Sequence, residues 1–335
     1  MKNRYILGIE TSCDETAAAV LDGDGNILSN VVASQIDIHK EFGGVVPELA
    51  ARNHTKIIDK VVAKAIRDAG ITAKDITDVA ATTKPGLPGA VMVGRVFGDV
   101  LASALKIPFY PINHVHGHIA SVMLAPMTMS CNPSKLDKLA VLKQYQVLQD
   151  STHSHLALVV SGGHTSLYKV EDKKIELLEG TVDDAIGESF DKVGRILGLD
   201  YPAGPRIDKI FEEYKGEYID FVNKPKYEVI SYSGLKTAVL NYVNKLKMKG
   251  EEVDVAKIAS SFQREAVNQL IVKALSWLKK TGIKVLTVSG GVSANKHLRE
   301  RLQEECAKQK VEVFFPPLEL CGDNAAMIAA VPLLL

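Results

Sequence analysis

His114 and His118, within Asn113-His114-Val115-His116-Gly117-His118, stand four residues apart. On a helix that spacing stacks both imidazoles on one face at chelating distance and turns His116 elsewhere. A third ligand must come from another part of the chain. Cys321-Gly322-Asp323-Asn324, at the mouth of the last expected helix, offers Asp323. Two histidines and one carboxylate leave coordination positions open to substrate or water, as in iron or zinc catalytic sites. Core or surface histidines with ordinary hydrogen bonds are the plainer reading of the same pair. A zinc peptidase of the His-Glu-x-x-His type is disfavoured, because Val115 stands where the general base would be.

Three glycine turns offer a second kind of chemistry: Lys84-Pro85-Gly86, Ser161-Gly162-Gly163 and Ser289-Gly290-Gly291. Glycines at strand ends let backbone N–H groups approach an anion, and a helix starting there adds its positive dipole end. One such turn is commonly a plain tight turn. Three of them, two in matching positions of the two halves, point to a phosphate or nucleotide ligand. The chain has no Gly-x-x-x-x-Gly-Lys-Ser/Thr loop and no Gly-x-Gly-x-x-Gly opening its first helix, which argues against a P-loop and a dinucleotide fold.

The elements that must position these residues follow from apolar runs and turn signals. A hairpin is expected from Tyr5–Ile9, a polar turn through Glu10-Thr11-Ser12-Cys13-Asp14-Glu15, and Thr16–Leu21, with Asp22-Gly23-Asp24-Gly25 leading into Ile27–Ala33. A helix is expected over Pro47–Ala69, where Ile57, Val61 and Ala65 share a stripe with Ile58, Val62 and Ile66, and Gly70 stops it. A strand near Val79–Thr83 then runs through a turn into a small-residue helix ending at Leu105. The order recurs: a hairpin His155–Val170, a third strand Ile175–Gly180, helices, and a strand Lys284–Val288 running into a helix that ends near Gln309. This is a weak internal duplication.

At 335 residues, with 46% of them apolar, the chain can build two lobes with real cores, and two lobes imply a cleft. Acidic and basic residues number 40 each, so nucleic acid would be held by a local patch or a partner rather than by a global field. Lys56, Lys60 and Lys64, with Arg52 and Arg67 nearby, form one such patch, or simply a solvated helix face. The four cysteines, Cys13, Cys131, Cys306 and Cys321, make no Cys-x-x-Cys pair, which fits a reducing cytoplasm. No uninterrupted apolar run reaches about 18 residues, so no membrane span is expected.

Gly8-Ile9-Glu10-Thr11-Ser12-Cys13-Asp14-Glu15-Thr16, Gly43-Gly44-Val45-Val46-Pro47-Glu48, His114 to His118, Val160-Ser161-Gly162-Gly163-His164-Thr165 and Ser289 to Asn295 together resemble the tRNA N6-adenosine threonylcarbamoyltransferase family, once described as O-sialoglycoprotein endopeptidases. Phe190-Asp191-Lys192, Tyr201-Pro202-Ala203-Gly204-Pro205 and Ser233-Gly234-Leu235-Lys236-Thr237 follow in the family's order. The resemblance implies an α/β, actin-like (ASKHA) fold of two related lobes: 1–124 with 323–335, and 155–322, with an inter-lobe insertion at 125–154. It implies transfer of threonylcarbamoyl from threonylcarbamoyl-AMP to N6 of adenosine 37 in tRNAs reading ANN codons, in the cytoplasm. One divalent metal ion per subunit, Fe2+ ahead of Zn2+, would sit in the cleft on His114, His118 and Asp323. The adenylate would lie on Val159, Val160, Ser161, Gly162 and Gly163, with Asp191, Gly204, Asp208 and Asn295 completing its pocket. The implied partners are tRNA, a related non-catalytic paralogue and a small ATPase. The chain departs from the family pattern at Lys84 and Ala203, where glycine is usual, and in the length of 125–154.

For that acyl transfer Asp14 and Glu15 are candidate catalytic groups, either of which would accept a proton or organise a water. Hydrogen bonding of the turn itself accounts for them equally well. Asp191 and Asp208 suit ribose hydroxyls, or a solvated helix face, and Asn295 suits a base contact or a helix cap. The competing function is an actin-like small-molecule kinase or ATPase, which would use the same glycine turns without needing the histidine pair.

Overall fold

The first hairpin forms because two apolar runs flank a polar turn. β1 (Tyr5–Glu10) pairs antiparallel with β2 (Glu15–Asp22), setting Ile6 opposite Leu21 and Ile9 opposite Ala18. The computed structural model describes residues 3–124, 154–222 and 227–334. Apart from Ser154, the expected insertion at 125–154 lies outside them. β3 (Ile27–Ser34) adds antiparallel to β2, whereas β4 (Asp78–Lys84) and β5 (Phe109–Asn113) add parallel on the other side of β1. The sheet order is β3-β2-β1-β4-β5.

Both faces of the sheet are covered at β1 and β2, so these strands are almost wholly apolar rather than alternating. Leu7, Ile9, Ala18 and Val20 face α2 (Pro47–Asp68), meeting Ile58, Val61, Val62 and Ala65. Ile6, Ala17, Ala19 and Leu21 face the C-terminal helix Ala325–Leu334. That helix lies so close to β1 that a Cβ on Gly8 would come within 2.2 Å of the Ala325 carbonyl oxygen. The remaining helices of this part are α1 (Ile36–Lys40), α3 (Pro88–Leu105) and α4 (His114–Ser121). Among the described residues α3 is the one helix long and apolar enough, by length and composition, to cross a membrane. Arg95 and Asp99 interrupt it, its small residues Ala90, Gly94, Gly98 and Ala102 are buried, and Met92, Val96 and Val100 are exposed.

The second sheet repeats the plan. β6 (His155–Val160) pairs antiparallel with β7 (Thr165–Glu171) and parallel with β9 (Val285–Ser289), which pairs parallel with β10 (Glu312–Phe314). With β8 (Lys174–Gly180) the order is β10-β9-β6-β7-β8. Read from its third strand, 8-7-6-9-10 reproduces 3-2-1-4-5, so the expected duplication is present in the strand order. Helices α5 (Ile186–Ile196), α6 (Gly204–Glu213), α7 (Ser233–Lys249), α8 (Val255–Thr281) and α9 (Lys296–Lys308) complete this part. Its core centres on β6, α5 and α8, where Phe190 and Phe262 meet edge to face at 5.1 Å.

Contacts divide the described chain into two units, 3–124 with 171–174 and 316–334, and 154–170 with 175–315. The chain re-enters the first unit at Pro316 rather than at Asp323. Leu320, two residues before Gly322, is already buried among Ile6, Ile112 and Leu124 and carries this segment with it.

Candidate metal centre

α4 starts directly at the end of β5, where the Asn113 side chain accepts a hydrogen bond from the Val115 N–H at 2.9 Å and caps the helix. His114 is therefore its first residue and His118 lies one turn later, with ring centroids 4.6 Å apart and planes at 81°. Gly117, between them, lets α4 approach the C-terminal helix: a Cβ there would meet Ile328 Cδ1 at 2.7 Å. Asn324 caps that helix by accepting from the Met327 N–H at 3.0 Å, and Asp323 immediately precedes it. One helix start thus supplies both imidazoles and a second supplies the carboxylate.

The structure brings His114, His118 and Asp323 together, with one ligand atom from each within 4.8 Å of the others. Both Nε2 atoms converge on Asp323 Oδ1, at 3.5 Å from His114 and 3.3 Å from His118. His118 is wholly buried, its Nδ1 makes no hydrogen bond, and its Nε2 faces only Asp323 Oδ1. Buried polar atoms need partners, and a cation shared with Asp323 would give the Nε2 lone pair one. Two imidazoles and one carboxylate suit iron(II) or zinc(II), so the residues fit the metal that the sequence implies. His116 is half-buried and outside the set, as its spacing predicts. Burial, then Lys84, lowers its pKa.

Behind His114 stands a residue that sequence reasoning placed only in a turn. Glu10, at the end of β1, is fully buried and holds Oε2 3.0 Å from His114 Nδ1. Its Oε1 accepts from the Ser12 N–H, and its Oε2 accepts from the Thr82 hydroxyl. Ser12 Oγ also lies 3.1 Å from His114 Nδ1. Burial works against charge on Glu10, but neighbouring His114 outweighs it and keeps the carboxyl below its usual range. Burial likewise opposes protonation of His114, and the Asp323 and Glu10 carboxylates override it, raising the imidazole to about 9. His118 moves the other way, lowered chiefly by burial. The one sequence signal for Glu10 is an acidic residue closing an otherwise apolar strand.

Asp14 and Glu15 stand at the far end of the same loop. Asp14 is buried with Oδ2 lacking a hydrogen-bond partner, and Glu15 opens β2 and accepts from the Ser34 hydroxyl at 3.3 Å. Burial, then Asp14 and Asp323, push Glu15 up to about 9. The loop's shape comes from below. His54 Nε2–H donates to the Cys13 carbonyl at 3.0 Å while its Nδ1 accepts from the Thr16 hydroxyl at 2.7 Å. From the side, the Leu87 N–H donates to the Ser12 carbonyl at 2.8 Å, and a Cβ on Gly86 would lie 2.7 Å from that same oxygen. The Lys84-Pro85-Gly86 turn therefore buttresses the loop.

The proposed adenylate residues lie in the second unit. Val159 and Val160 are buried in β6, and Ser161, Gly162 and Gly163 turn at its end. Gly162, Gly163 and Gly291 have open space where a Cβ would point, while Gly290, at φ 92°, sits so close to Val160 that a Cβ would come within 2.3 Å of its carbonyl oxygen. The ends of parallel β6 and β9 thereby form one glycine-lined edge, where α/β sheets bind ligands. Gly204 begins α6, and Asp191 Oδ1 accepts from the Ala203 N–H at 2.8 Å. Both Asp208 oxygens are engaged, one by Gln263 Nε2 at 2.7 Å and one by the Lys296 N–H at 2.9 Å, so this residue ties α6 to the start of α9. Asn295 caps α9 by accepting from the Leu298 N–H at 2.8 Å. On α2, Arg52 and Lys64 pair with Glu48 and Asp68, which shrinks the basic face around exposed Lys56 and Lys60.

Among solved structures, full-length HypF in its phosphate- and nucleotide-bound form matches 99% of this chain and 46% of its own length, with a TM-score of 0.60 at 15% identity. Component A of the Acidaminococcus fermentans (R)-2-hydroxyglutaryl-CoA dehydratase matches 98% of this chain and 96% of its own at TM-score 0.54 and 13% identity. At such identities the likeness concerns the fold, which is of the actin-like (ASKHA) class. Sequence similarity is far closer to the tRNA N6-adenosine threonylcarbamoyltransferases of Streptococcus pneumoniae (strain ATCC 700669 / Spain 23F-1), 44% identical over 98% of this chain and 91% of the relative, and of Caldicellulosiruptor bescii, 43% over 97% and 91%. The family profile described as tRNA N6-adenosine threonylcarbamoyltransferase (TsaD) matches residues 26–136 and 134–330. With relatives this similar over nearly the whole length, the chain belongs to the tRNA N6-adenosine threonylcarbamoyltransferase family.

Proposed function

We propose that the chain transfers threonylcarbamoyl from threonylcarbamoyl-AMP to N6 of adenosine 37 in tRNAs reading ANN codons, with one divalent ion, iron(II) ahead of zinc(II), on His114, His118 and Asp323. The observation that carries the metal-dependent form of this reading is the buried imidazole pair whose Nε2 atoms converge on one Asp323 oxygen. When bound, the ion supplies electrophilic stabilisation to oxygens of the acyl donor. The chain's own residues do the rest.

The adenylate rests on Val159, Val160, Ser161, Gly162 and Gly163, where the glycines leave open space beside the backbone for a phosphate to approach. Asp191, Gly204, Asp208 and Asn295 complete the pocket in this reading. Asp208 and Asn295 already fix the N-terminus of α9, so their contribution is to hold the pocket's wall in place. In the first unit, burial, Asp14 and Asp323 raise Glu15 in the metal-free protein, and Asp14, whose buried Oδ2 makes no hydrogen bond, takes the proton released by the attacking amine. A cytoplasmic location belongs to the same reading, as does assembly with a related non-catalytic subunit and a small ATPase. The exposed Met92, Val96 and Val100, four residues apart on α3, support a partner surface there.

The test is transfer of labelled threonylcarbamoyl from its adenylate to unmodified tRNA in the presence of the partner proteins, comparing wild type with His114→Ala. Transfer by wild type and its loss in the variant support the proposal. ATP-dependent phosphorylation of a small molecule, with no transfer to tRNA, would replace it with the kinase reading.

A further inference from the structure

Metal-ligating histidines need their second ring nitrogen fixed, because an imidazole free to change tautomer or rotate offers its lone pair only part of the time. In this centre the two histidines are treated unequally. His118, on α4, is wholly buried and has no hydrogen bond at Nδ1, so nothing but packing fixes that side of its ring. His114 Nδ1 faces a carboxylate at 3.0 Å, and a carboxylate only accepts. That carboxylate is itself held on both oxygens, by the Ser12 N–H and the Thr82 hydroxyl, and is completely buried. A fully buried glutamate with this many donors is a built feature of β1, not a solvated side chain that happens to lie nearby.

We propose that Glu10 is the positioning residue of the metal centre: it accepts a hydrogen bond from the Nδ1–H of His114, directs the Nε2 lone pair towards Asp323, and supplies a second negative charge beside the divalent cation. Among the ligands and Glu10 the charges balance, since Asp323 and Glu10 contribute one each and both imidazoles bind as neutral ligands. Ser12 and Thr82 act through Glu10 by keeping its carboxylate in the plane where His114 can donate. The loop after β1 therefore serves two purposes. Glu10 faces the metal ligands, and Asp14 and Glu15 lie four and five residues further on. This inference rests on the metal reading of the centre.

The experiment uses the full-length wild type, Glu10→Gln and Glu10→Ala, each stripped of metal and titrated with zinc(II) against a chelator of known affinity. NMR of the imidazole N–H protons is recorded on the same samples. Wild type is expected to bind one zinc and to show a downfield Nδ1 proton from His114. Glu10→Gln, which keeps the volume and loses the charge, is expected to bind zinc about 10- to 100-fold more weakly and to lose the downfield signal. A residue needed only for folding would lower the thermal midpoint and leave the zinc affinity of the folded protein unchanged. Should Glu10→Ala fail to fold, Glu10→Gln decides the matter alone. Wild-type affinity and an unchanged Nδ1 signal in Glu10→Gln would overturn the inference. A wild type that takes up no zinc would overturn the metal reading first, a different result from the same titration.

Discussion

His118 shows most clearly what a functional residue does to a core. Its ring is wholly buried, with Nδ1 unsatisfied and Nε2 facing only the Asp323 carboxylate at 3.3 Å. A buried polar group left unsatisfied costs about 1–3 kcal/mol. Replacing it with an apolar residue of similar size should therefore leave the metal-free protein as stable as wild type, or stabilise it by about 1 kcal/mol, while abolishing stoichiometric metal binding. Urea titration of metal-free wild type and His118→Leu measures this, and a loss of several kcal/mol would make His118 a structural residue instead. At Glu15 the expectation concerns protonation. Because burial, Asp14 and Asp323 hold it at about 9 in the metal-free protein, its carboxyl should show protonated infrared absorption at pH 7, which Asp14→Asn should shift towards the carboxylate band. The histidine pair was legible in the sequence because i, i+4 spacing is a local signal. Glu10, Ser12 and Thr82 were not, because their tie to His114 spans strands and helices distant in the chain. The double reading of Asn295 as cap or base contact is decided in part: it caps.

Among the elements, α4 and the C-terminal helix carry the site, and their separation is set by glycine. Adding a methyl at Gly117 brings Cβ to 2.7 Å from Ile328 Cδ1 and 3.2 Å from Met327 Cγ. Gly117→Ala should destabilise the protein by about 1–3 kcal/mol and, by moving α4 away from Asp323, weaken metal binding; Ile328→Val in the same background should recover part of both losses. Thermal melts and metal titration of the single and double variants check this, and full metal affinity in Gly117→Ala would show that the spacing of these helices does not matter to the site. The helices and strands themselves were largely legible. α2 was expected over Pro47–Ala69 and runs over Pro47–Asp68, because its apolar stripe, the proline at its start and Gly70 after it agree. The Pro316 re-entry was not legible, since it is fixed by where Leu320 is buried rather than by a turn signal.

For the molecule as a whole, one duplicated sheet plan underlies both units, and the sequence showed it only as two hairpins and two strand–glycine–helix passages. Strand order supplies the rest, because pairing partners of β1 and β6 lie far along the chain. Stability towards acid should be governed in part by His155, buried at the start of β6 with Nε2 unpartnered and lowered by burial to about 4. A histidine depressed in the folded state stabilises fully above its unfolded value of about 6.5 and loses that contribution as pH falls from there through 4. The expected loss for this group is at most about 3 kcal/mol. Denaturation midpoints from pH 7 to 4 should fall less steeply in His155→Leu than in wild type, and parallel slopes would remove His155 from the account.

The most direct test of the central claim is single-turnover transfer of labelled threonylcarbamoyl to tRNA by the protein as purified, after removal of its metal, and after reloading with iron(II) or zinc(II), with partner proteins present throughout. Loss of transfer on stripping and its return on reloading, in proportion to the metal bound, is the predicted result. Full transfer by protein shown to be metal-free would contradict a catalytic metal on His114, His118 and Asp323.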